Sequence, residues 1–432
     1  MYGSSLEARL PASKLNVPEE TVASAPTDMP RRWVILALIF SITVINFIDR
    51  QTLSVLAPVL KAAFHLSNEY YGRIVAALQF GMMSGEFPMG WLMDRWGARL
   101  GLTAAVLWWS GATGAQVFCG SGMQLGITRF WMGTGEAGNY SGGMKAVSRF
   151  FSKEKRTLAI GIFNSGSMIG ATIAPPLIVF LMQHYGFRAA FLVPALLGLI
   201  WVPLWWLTYP GQASPLLSGD PLQISLPVLL RQSSTWAVMM CRFLIGPVMQ
   251  FYWYWIPSYL YSVRHMSLTQ IGFLGWIPFF LGDTGGVLGG WAAGWLQARG
   301  VGIYNVRRIT MYGSSLLCLT SLLVPYLHSA TVALFTIGIA VMADNFLSAN
   351  MFGAITDLHP DRSIGRVTGL TGVSGGLSGL LFPLLTGALV DRVSYKPVFI
   401  LVAIMPLLGT LALFILGKQY RSMRQDAAPV NS

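Results

Sequence analysis

Apolar stretches of about 20 residues alternate with short polar turns along most of the chain. As an α-helix, a stretch of about 20 apolar residues is long enough to cross the roughly 30 Å hydrocarbon core of a bilayer. The pattern therefore predicts twelve membrane-spanning helices. Their approximate limits are 33–57, 71–93, 99–119, 123–147, 157–182, 187–208, 234–260, 268–297, 307–327, 330–357, 364–390 and 396–417.

The longest polar interruption lies in the middle of the chain, is rich in proline, and leaves six predicted helices on either side. We therefore expect an all-α polytopic membrane protein made of two six-helix halves. The predicted parts are an N-terminal tail 1–32, an N-terminal half 33–208, a linker 209–233, a C-terminal half 234–417 and a C-terminal tail 418–432.

Composition narrows the class of protein. Of the 432 residues, 54% are hydrophobic and 11% are charged, whereas soluble domains carry about 25% charged residues. The net charge of +12 comes from basic residues spread over short loops. This is the positive-inside bias of a membrane protein, it predicts both termini in the cytoplasm, and it does not suggest nucleic-acid binding. We find no metal-ligand spacing or nucleophile motif, so we expect neither an enzyme nor a metal or organic cofactor.

Four ionisable residues interrupt two of the apolar stretches. Asp49 and Arg50 lie near the end of the first, and Arg129 and Glu136 lie within the fourth. A charge in the hydrocarbon core costs at least about 2.5–3.5 kcal/mol, so such groups face a protein-lined cavity and often move protons, ions or charged substrates. Seven residues are two helical turns, so Arg129 and Glu136 share one helix face. The alternative is that the four residues form two purely structural ion pairs.

The two halves carry a weak internal repeat. Gly90-Trp91 in the first half matches Gly290-Trp291 in the second at an offset of 200 residues. Repeated six-helix units place the substrate site between them, near the middle of the membrane.

The turn after the second apolar stretch reads Gly90-Trp-Leu-Met-Asp94-Arg95-Trp-Gly-Ala-Arg99. Its glycines permit a tight turn, and Asp94 can bind a neighbouring basic side chain or helix N-terminus. The string resembles the cytoplasmic loop signature of the major facilitator superfamily, which implies that fold and a gating role for Gly90, Asp94, Arg95 and Arg99.

Longer strings resemble one branch of that superfamily, the anion:cation symporters, and within it the bacterial hexuronate transporters. Asn46-Phe-Ile-Asp49-Arg50, the pair Arg129 and Glu136, and residues 155–176 carry the resemblance. It implies that Asp49 and Glu136 couple transport to protons and that Arg50 and Arg129 bind or gate the anion. It also implies proton-coupled uptake of sugar acids such as glucuronate or galacturonate. An aldonate, aldarate, tartrate-like or aromatic acid is the alternative substrate.

Further polar side chains within the predicted helices can complete a site for an anionic, hydroxylated substrate. Arg242 either clamps the substrate carboxylate together with an arginine of the first half, or pairs with Asp283. Neutral groups suited to hydroxyls are Gln79, Asn164, Gln250 and Ser374. Together these features predict a monomeric symporter that works among the lipids of a bacterial inner membrane, with protons as the coupling ion.

Overall fold

A computed structural model describes residues 29–210 and 226–417. Most of both predicted tails and most of the predicted linker lie outside these ranges. Within them the secondary structure is helical throughout and contains no β-strand.

The first half contains six helices. They are α1 (Met29–Val55), α2 (Ala57–Ala63), α3 (Asn68–Ala115), α4 (Gly122–Phe150), α5 (Lys153–Tyr185) and α6 (Phe187–Thr208). Residues 226–417 contain eight, of which α7 lies in the predicted linker. They are α7 (Leu226–Leu230), α8 (Ser233–Ser262), α9 (Leu268–Leu274), α10 (Ile277–Ala298), α11 (Ile303–Cys318), α12 (Ala330–Leu358), α13 (Asp361–Arg392) and α14 (Lys396–Leu416). Short 3₁₀ turns, Gln116–Phe118 and Leu319–Tyr326, extend α3 and α11.

The long helix α3 comprises two of the predicted spans. The chain turns at Gly97, whose φ of 72° is left-handed and favours glycine. Both arms of α3 pack on α4: Gly85 of the first arm lies on Thr134, and Ala105 of the second lies on Gly138. With this turn counted, the helices make twelve spans and confirm the predicted fold class. Eight of them are long and apolar enough to be identified by hydropathy alone; α4, which contains Arg129 and Glu136, is not one of these.

Glycines bring the same pairs of helices together in both halves. A Cβ atom added at Gly85 of α3 would lie 2.5 Å from the backbone oxygen of Thr134, and one at Gly289 of α10 would lie 2.7 Å from that of Phe346. One turn earlier, Gly81 meets Phe130 and Gly285 meets Met342 in the same way. The α3 and α10 positions are 204 residues apart, and the α4 and α12 positions are 212 apart. The two halves therefore repeat one helix crossing, with an α3-to-α10 offset four residues longer than the 200 residues of the sequence repeat.

Two adjacent glycines of α10 allow a matched test of this crossing. A Cβ at Gly285 would lie 2.0 Å from the backbone oxygen of Met342, whereas one at Gly286 would meet nothing within 4 Å. We expect Gly285→Ala to destabilise the protein by about 1–3 kcal/mol, because a backbone atom has to move. Gly286→Ala should leave stability unchanged or raise it slightly, because alanine favours helix. Thermal unfolding in detergent measures both; equal midpoints would contradict the close crossing.

The two halves are closed against each other at one end of the bundle, which contains the α2 segment between α1 and α3. We call it the outer end, following the predicted orientation, and the opposite end the inner end. At the outer end, the Asp391 carboxylate of α13 accepts hydrogen bonds from the backbone N–H groups of Asn68 (3.1 Å) and Glu69 (2.6 Å) at the start of α3. Lys61 Nζ donates to Ser258 Oγ of α8 at 2.5 Å. These contacts join the first half directly to the second.

Lys61 makes the stability of this closed end depend on pH. It lies on α2, beyond the end of the first span, where burial lowers its pKa from 10.5 to about 8 although Asp391 acts in the opposite direction. Between about pH 8 and 10.5 the unfolded chain therefore binds more protons than the folded one, so stability rises with pH in this window. We expect the thermal midpoint of the wild type to rise relative to Lys61→Met, which does not titrate. A difference that is constant between pH 8 and pH 10 would contradict this.

Candidate functional site

Arg50 of α1 and Glu136 of α4 form a direct ion pair. The Nε atom of Arg50 donates to Oε2 of Glu136 at 2.8 Å. The Glu136 side chain is fully buried, while that of Arg50 keeps 13% of its surface exposed. Arg50 is therefore the member of the pair that an incoming anion can reach.

Arg129 lies deeper than Arg50. It is fully buried, and its Nη1 donates to the backbone oxygen of Asp49 at 3.0 Å, not to the carboxylate. The ring of Phe191 on α6 lies 5.7 Å from its guanidinium carbon. The structure thus brings all four sequence-predicted charges into one cluster, but Arg129 acts within the first half, against α1 and α6.

Several polar atoms of this cluster are buried and lack a hydrogen-bond partner. They are both carboxyl oxygens of Asp49, Oε1 of Glu136, and Nε and Nη2 of Arg129. A buried polar group without a partner costs about 1–3 kcal/mol, so such a concentration of them is unusual in a purely structural network. The cluster has free acceptors for protons and free donors for an anion. Among residues 29–210 and 226–417, no group of three His, Cys, Asp or Glu side chains could hold a metal ion.

Phe47 sets the position of Arg50 at the boundary between the halves. It lies one helical turn before Arg50 on α1, and the guanidinium carbon is 4.9 Å from its ring centre. The Phe47 ring also packs edge-on against Trp253 of α8, with 5.7 Å between ring centres. Because the second half holds Phe47, a movement between the halves would be transmitted to Arg50.

The predicted hydroxyl-binding residues have different surroundings. Gln79 of α3 donates through Nε2 to Oε1 of Gln250 on α8 at 2.6 Å, so these two side chains link the halves. Ser374 is buried in the second half and donates to the backbone oxygen of Met239 at 2.6 Å. Asn164 is exposed on α5. In this conformation the structure therefore brings together Gln79 and Gln250, but not all four residues.

Arg242 of α8 is half-buried. Its guanidinium carbon lies 5.5 Å from the ring centre of Phe352, and a Cβ at Gly375 would lie 2.9 Å from its Nε. The acid that interacts with it electrostatically is Asp344 of α12, and no ion pair links Arg242 to Asp283. The pairing of Arg242 with Asp283 that the sequence left open is therefore not formed. The acid near Arg242 is Asp344, and the two are farther apart than a salt bridge.

The predicted gating loop is anchored within the first half. Asp94 Oδ1 lies 3.0 Å from Nζ of Lys145 on α4, and the Arg95 guanidinium stacks over Trp91 at 5.2 Å. Arg99 Nη2 donates to the backbone oxygen of Trp206 at 2.8 Å. A Cβ at Gly90 would meet nothing within 4 Å. The Asp94 side chain is three-quarters exposed, so it can exchange Lys145 for another partner.

An ion pair that the sequence reading missed fixes the inner end of the second half. Arg307 Nε lies 2.7 Å from Oδ2 of Asp357, and its Nη1 donates to Asn350 Oδ1 at 3.1 Å. The guanidinium lies flat against Gly353, where a Cβ would come within 2.6 Å of three of its atoms. Asp357 and Arg307 lie 50 residues apart, so no local spacing signals the pair. The sequence signals this pair only by placing a charged residue at the start of one apolar stretch, Arg307, and at the end of the next, Asp357.

Comparison with known proteins agrees with this architecture. The sequence profile of the Major Facilitator Superfamily matches residues 39–381 and 303–430. The hexuronate transporter of Escherichia coli (strain K12) is 28% identical over 402 residues, covering 89% of this chain and 93% of the relative. A probable galactarate/D-glucarate transporter of the same strain is 25% identical over 433 residues, covering 92% and 97%.

The fold is also shared with a solved structure. A bacterial homologue of the human lysosomal transporter Spinster, in an inward-facing and unoccupied conformation, superposes with a TM-score of 0.70 at 18% identity. The likeness covers 93% of this chain and 99% of that one. The chain therefore belongs to the Major Facilitator Superfamily, and it is a multi-pass membrane transporter and not an enzyme.

Proposed function

We propose that this protein is a proton-coupled symporter that imports sugar acids, hexuronates such as glucuronate and galacturonate, across a bacterial inner membrane by alternating access. The relatives support the substrate class, since they include a hexuronate transporter and a galactarate/D-glucarate transporter. The observation that carries the proposal is the 2.8 Å contact between Arg50 and Glu136 in a cluster with unpartnered acids.

Competition for Arg50 is the proposed coupling step. While Glu136 is ionised, it holds the Arg50 guanidinium and an anion has to compete with it. When Glu136 takes up a proton, Arg50 is released to bind a substrate carboxylate. Asp49, whose two oxygens have no hydrogen-bond partner, is the second proton carrier, and Arg129 balances its charge from inside the half.

The second half supplies the opposite side of the proposed site. Arg242 is the cation that can approach the substrate from α8, and its planar guanidinium suits bidentate binding of a carboxylate. Gln79 and Gln250 bond to each other and to no other side chain in the described ranges. Both amides are therefore available to substrate hydroxyls if the halves separate at this level.

Uptake by purified protein in proteoliposomes tests the proposal. We expect labelled glucuronate or galacturonate to accumulate inside when the interior is more alkaline than the exterior, because protons then enter with the substrate. Collapsing the gradient with a protonophore should leave only equilibration. Accumulation that does not depend on the proton gradient would contradict coupling, and no uptake of any sugar acid would contradict the substrate class.

A second candidate substrate is another organic anion, such as an aldonate, an aldarate, a tartrate-like acid or an aromatic acid. The galactarate/D-glucarate relative favours an aldarate within this group. A competition panel separates the candidates. If the substrate is a hexuronate, uronates should displace the label and aromatic acids should not.

A further inference from the structure

A small cleft lies at the boundary between the halves, where α1 and α5 face α8 and α10. Its volume is about 20 Å³, enough for about one water molecule or one hydroxyl group. Aromatic rings and two polar side chains form its walls. The lining residues are Phe47, Ser167, Ala171, Met249, Trp253, Phe279 and Asp283.

Asp283 is the acidic residue of this cleft. No hydrogen-bond or ion-pair partner of Asp283 occurs among residues 29–210 and 226–417. An unpaired carboxyl group at such a boundary is costly unless it serves a ligand or a proton. Asp283 and Ser167 supply acceptor oxygens in an otherwise apolar cleft, which points to a ligand that donates hydrogen bonds.

Asp283 of α10 is the counterpart of Gln79 of α3 in the internal repeat. The two residues are separated by the same 204 residues that relate the crossing glycines of these helices. Gln79 has a polar partner across the boundary, Gln250, at 2.6 Å. Asp283 faces Phe47 across the same boundary. The protein therefore satisfies one member of the repeated pair and leaves the other without a partner.

The cleft is next to the proposed carboxylate site. Phe47 lines the cleft, and the guanidinium carbon of Arg50 lies 4.9 Å from the centre of the Phe47 ring. On the α5 side, Asn164 lies one turn before Ser167 on the same helix face and is exposed. A molecule whose carboxylate reaches Arg50 can thus extend along Phe47, with its hydroxyl groups towards Asn164, Ser167 and Asp283.

We propose that Asp283, together with Ser167, forms a subsite that accepts a hydroxyl group of the substrate and excludes a second carboxylate. This inference rests on the proposed function and deepens it, since it selects polyhydroxylated monocarboxylates over dicarboxylates.

The selectivity follows from the chemistry of the two groups. A sugar hydroxyl donates a hydrogen bond to the Asp283 carboxyl group. A neighbouring hydroxyl can donate to Ser167 Oγ, whose own proton bonds to the backbone oxygen of Asn164 at 2.6 Å. A carboxylate at the same place would be too large for the cleft, and when ionised it has no proton to donate to Asp283. Hydrogen bonds to charged groups contribute enough to change affinity by about 10- to 100-fold. Sites that bind a specific hydroxyl also discriminate strongly against analogues that lack it.

Competition in proteoliposomes tests the subsite. Exchange of labelled D-glucuronate would be inhibited by unlabelled D-glucuronate, a monocarboxylate, and by D-glucarate, a dicarboxylate. We expect the wild type to prefer glucuronate. Asp283→Asn should weaken glucuronate by about 10- to 100-fold and glucarate much less, so the preference falls by at least tenfold. Ser167→Ala should lower the preference in the same direction but by a smaller factor.

The neighbouring Thr284 provides the control, because it is adjacent to Asp283 in the chain but is not among the residues that line the cleft. Thr284→Val should keep the wild-type preference. If Asp283→Asn does not fold, Asp283→Glu and Ser167→Ala measure the same preference. An unchanged preference in the Asp283 and Ser167 variants of a protein that does exchange glucuronate overturns the subsite alone. A wild type that prefers glucarate also overturns it, and a wild type that binds no sugar acid overturns the proposed function with it.

Discussion

Glu136→Gln is expected to abolish proton-driven accumulation of the substrate while preserving exchange of substrate across the membrane. Glutamine has nearly the shape of the protonated glutamate but cannot release a proton. Arg50, which the Glu136 carboxylate holds at 2.8 Å in the wild type, would stay available to the substrate in every step. Binding and exchange therefore persist, but no proton is carried with the substrate. Uptake and counterflow in the same proteoliposomes measure the two activities separately.

Glu69→Gln is the matched control for this variant. Glu69 lies at the start of α3, before the predicted span, and its partly exposed side chain pairs with Arg73 at 2.6 Å, so the same chemical change should leave gradient-driven accumulation as in the wild type. Equal accumulation by Glu136→Gln and the wild type would show that Glu136 does not couple transport to protons. Loss of both accumulation and exchange would assign Glu136 to substrate binding or to the packing of α1 on α4.

The fold could be predicted from the sequence because apolar length is set by the bilayer and is independent of the partner helices. Even α4, which hydropathy alone does not identify, was predicted, since its polar residues interrupt the apolar stretch without breaking it. The turn at Gly97 was also predictable from a polar string rich in glycine and charge. The close crossings at Gly85 and Gly289 were not, because they depend on which helices become neighbours.

The candidate site could be predicted only in part, for the same reason. Residues on one helix, such as Arg129 and Glu136, share a face by periodicity, whereas their association with Asp49 and Arg50 of another helix was implied by the family resemblance. The contact between Gln79 and Gln250 joins residues 171 positions apart, and Asp344 rather than Asp283 is the acid that interacts with Arg242. Such pairings depend on how the two halves pack, and the spacing of residues in one sequence does not determine that.

Arg50→Gln is expected to have the largest effect on both binding and stability. Removing one partner of a buried ion pair costs about 3–5 kcal/mol, because the other charge is left without compensation or has to take up a proton. In Arg50→Gln, the buried Glu136 would be the charge left without its partner. The thermal midpoint should fall, and affinity for the sugar acid should fall by at least about 30-fold, as expected when a charged hydrogen-bond partner is truncated.

The double variant Arg50→Gln/Glu136→Gln separates these two effects. With both charges removed, two neutral amides replace the pair, so the thermal midpoint should recover most of the loss. Binding should not recover, because the cation that meets the carboxylate is absent. Arg50→Lys keeps the charge but not the planar fork or the contact with Phe47, so we expect intermediate affinity. If the double variant binds as tightly as the wild type, the anion is held elsewhere, and Arg242 becomes its main partner.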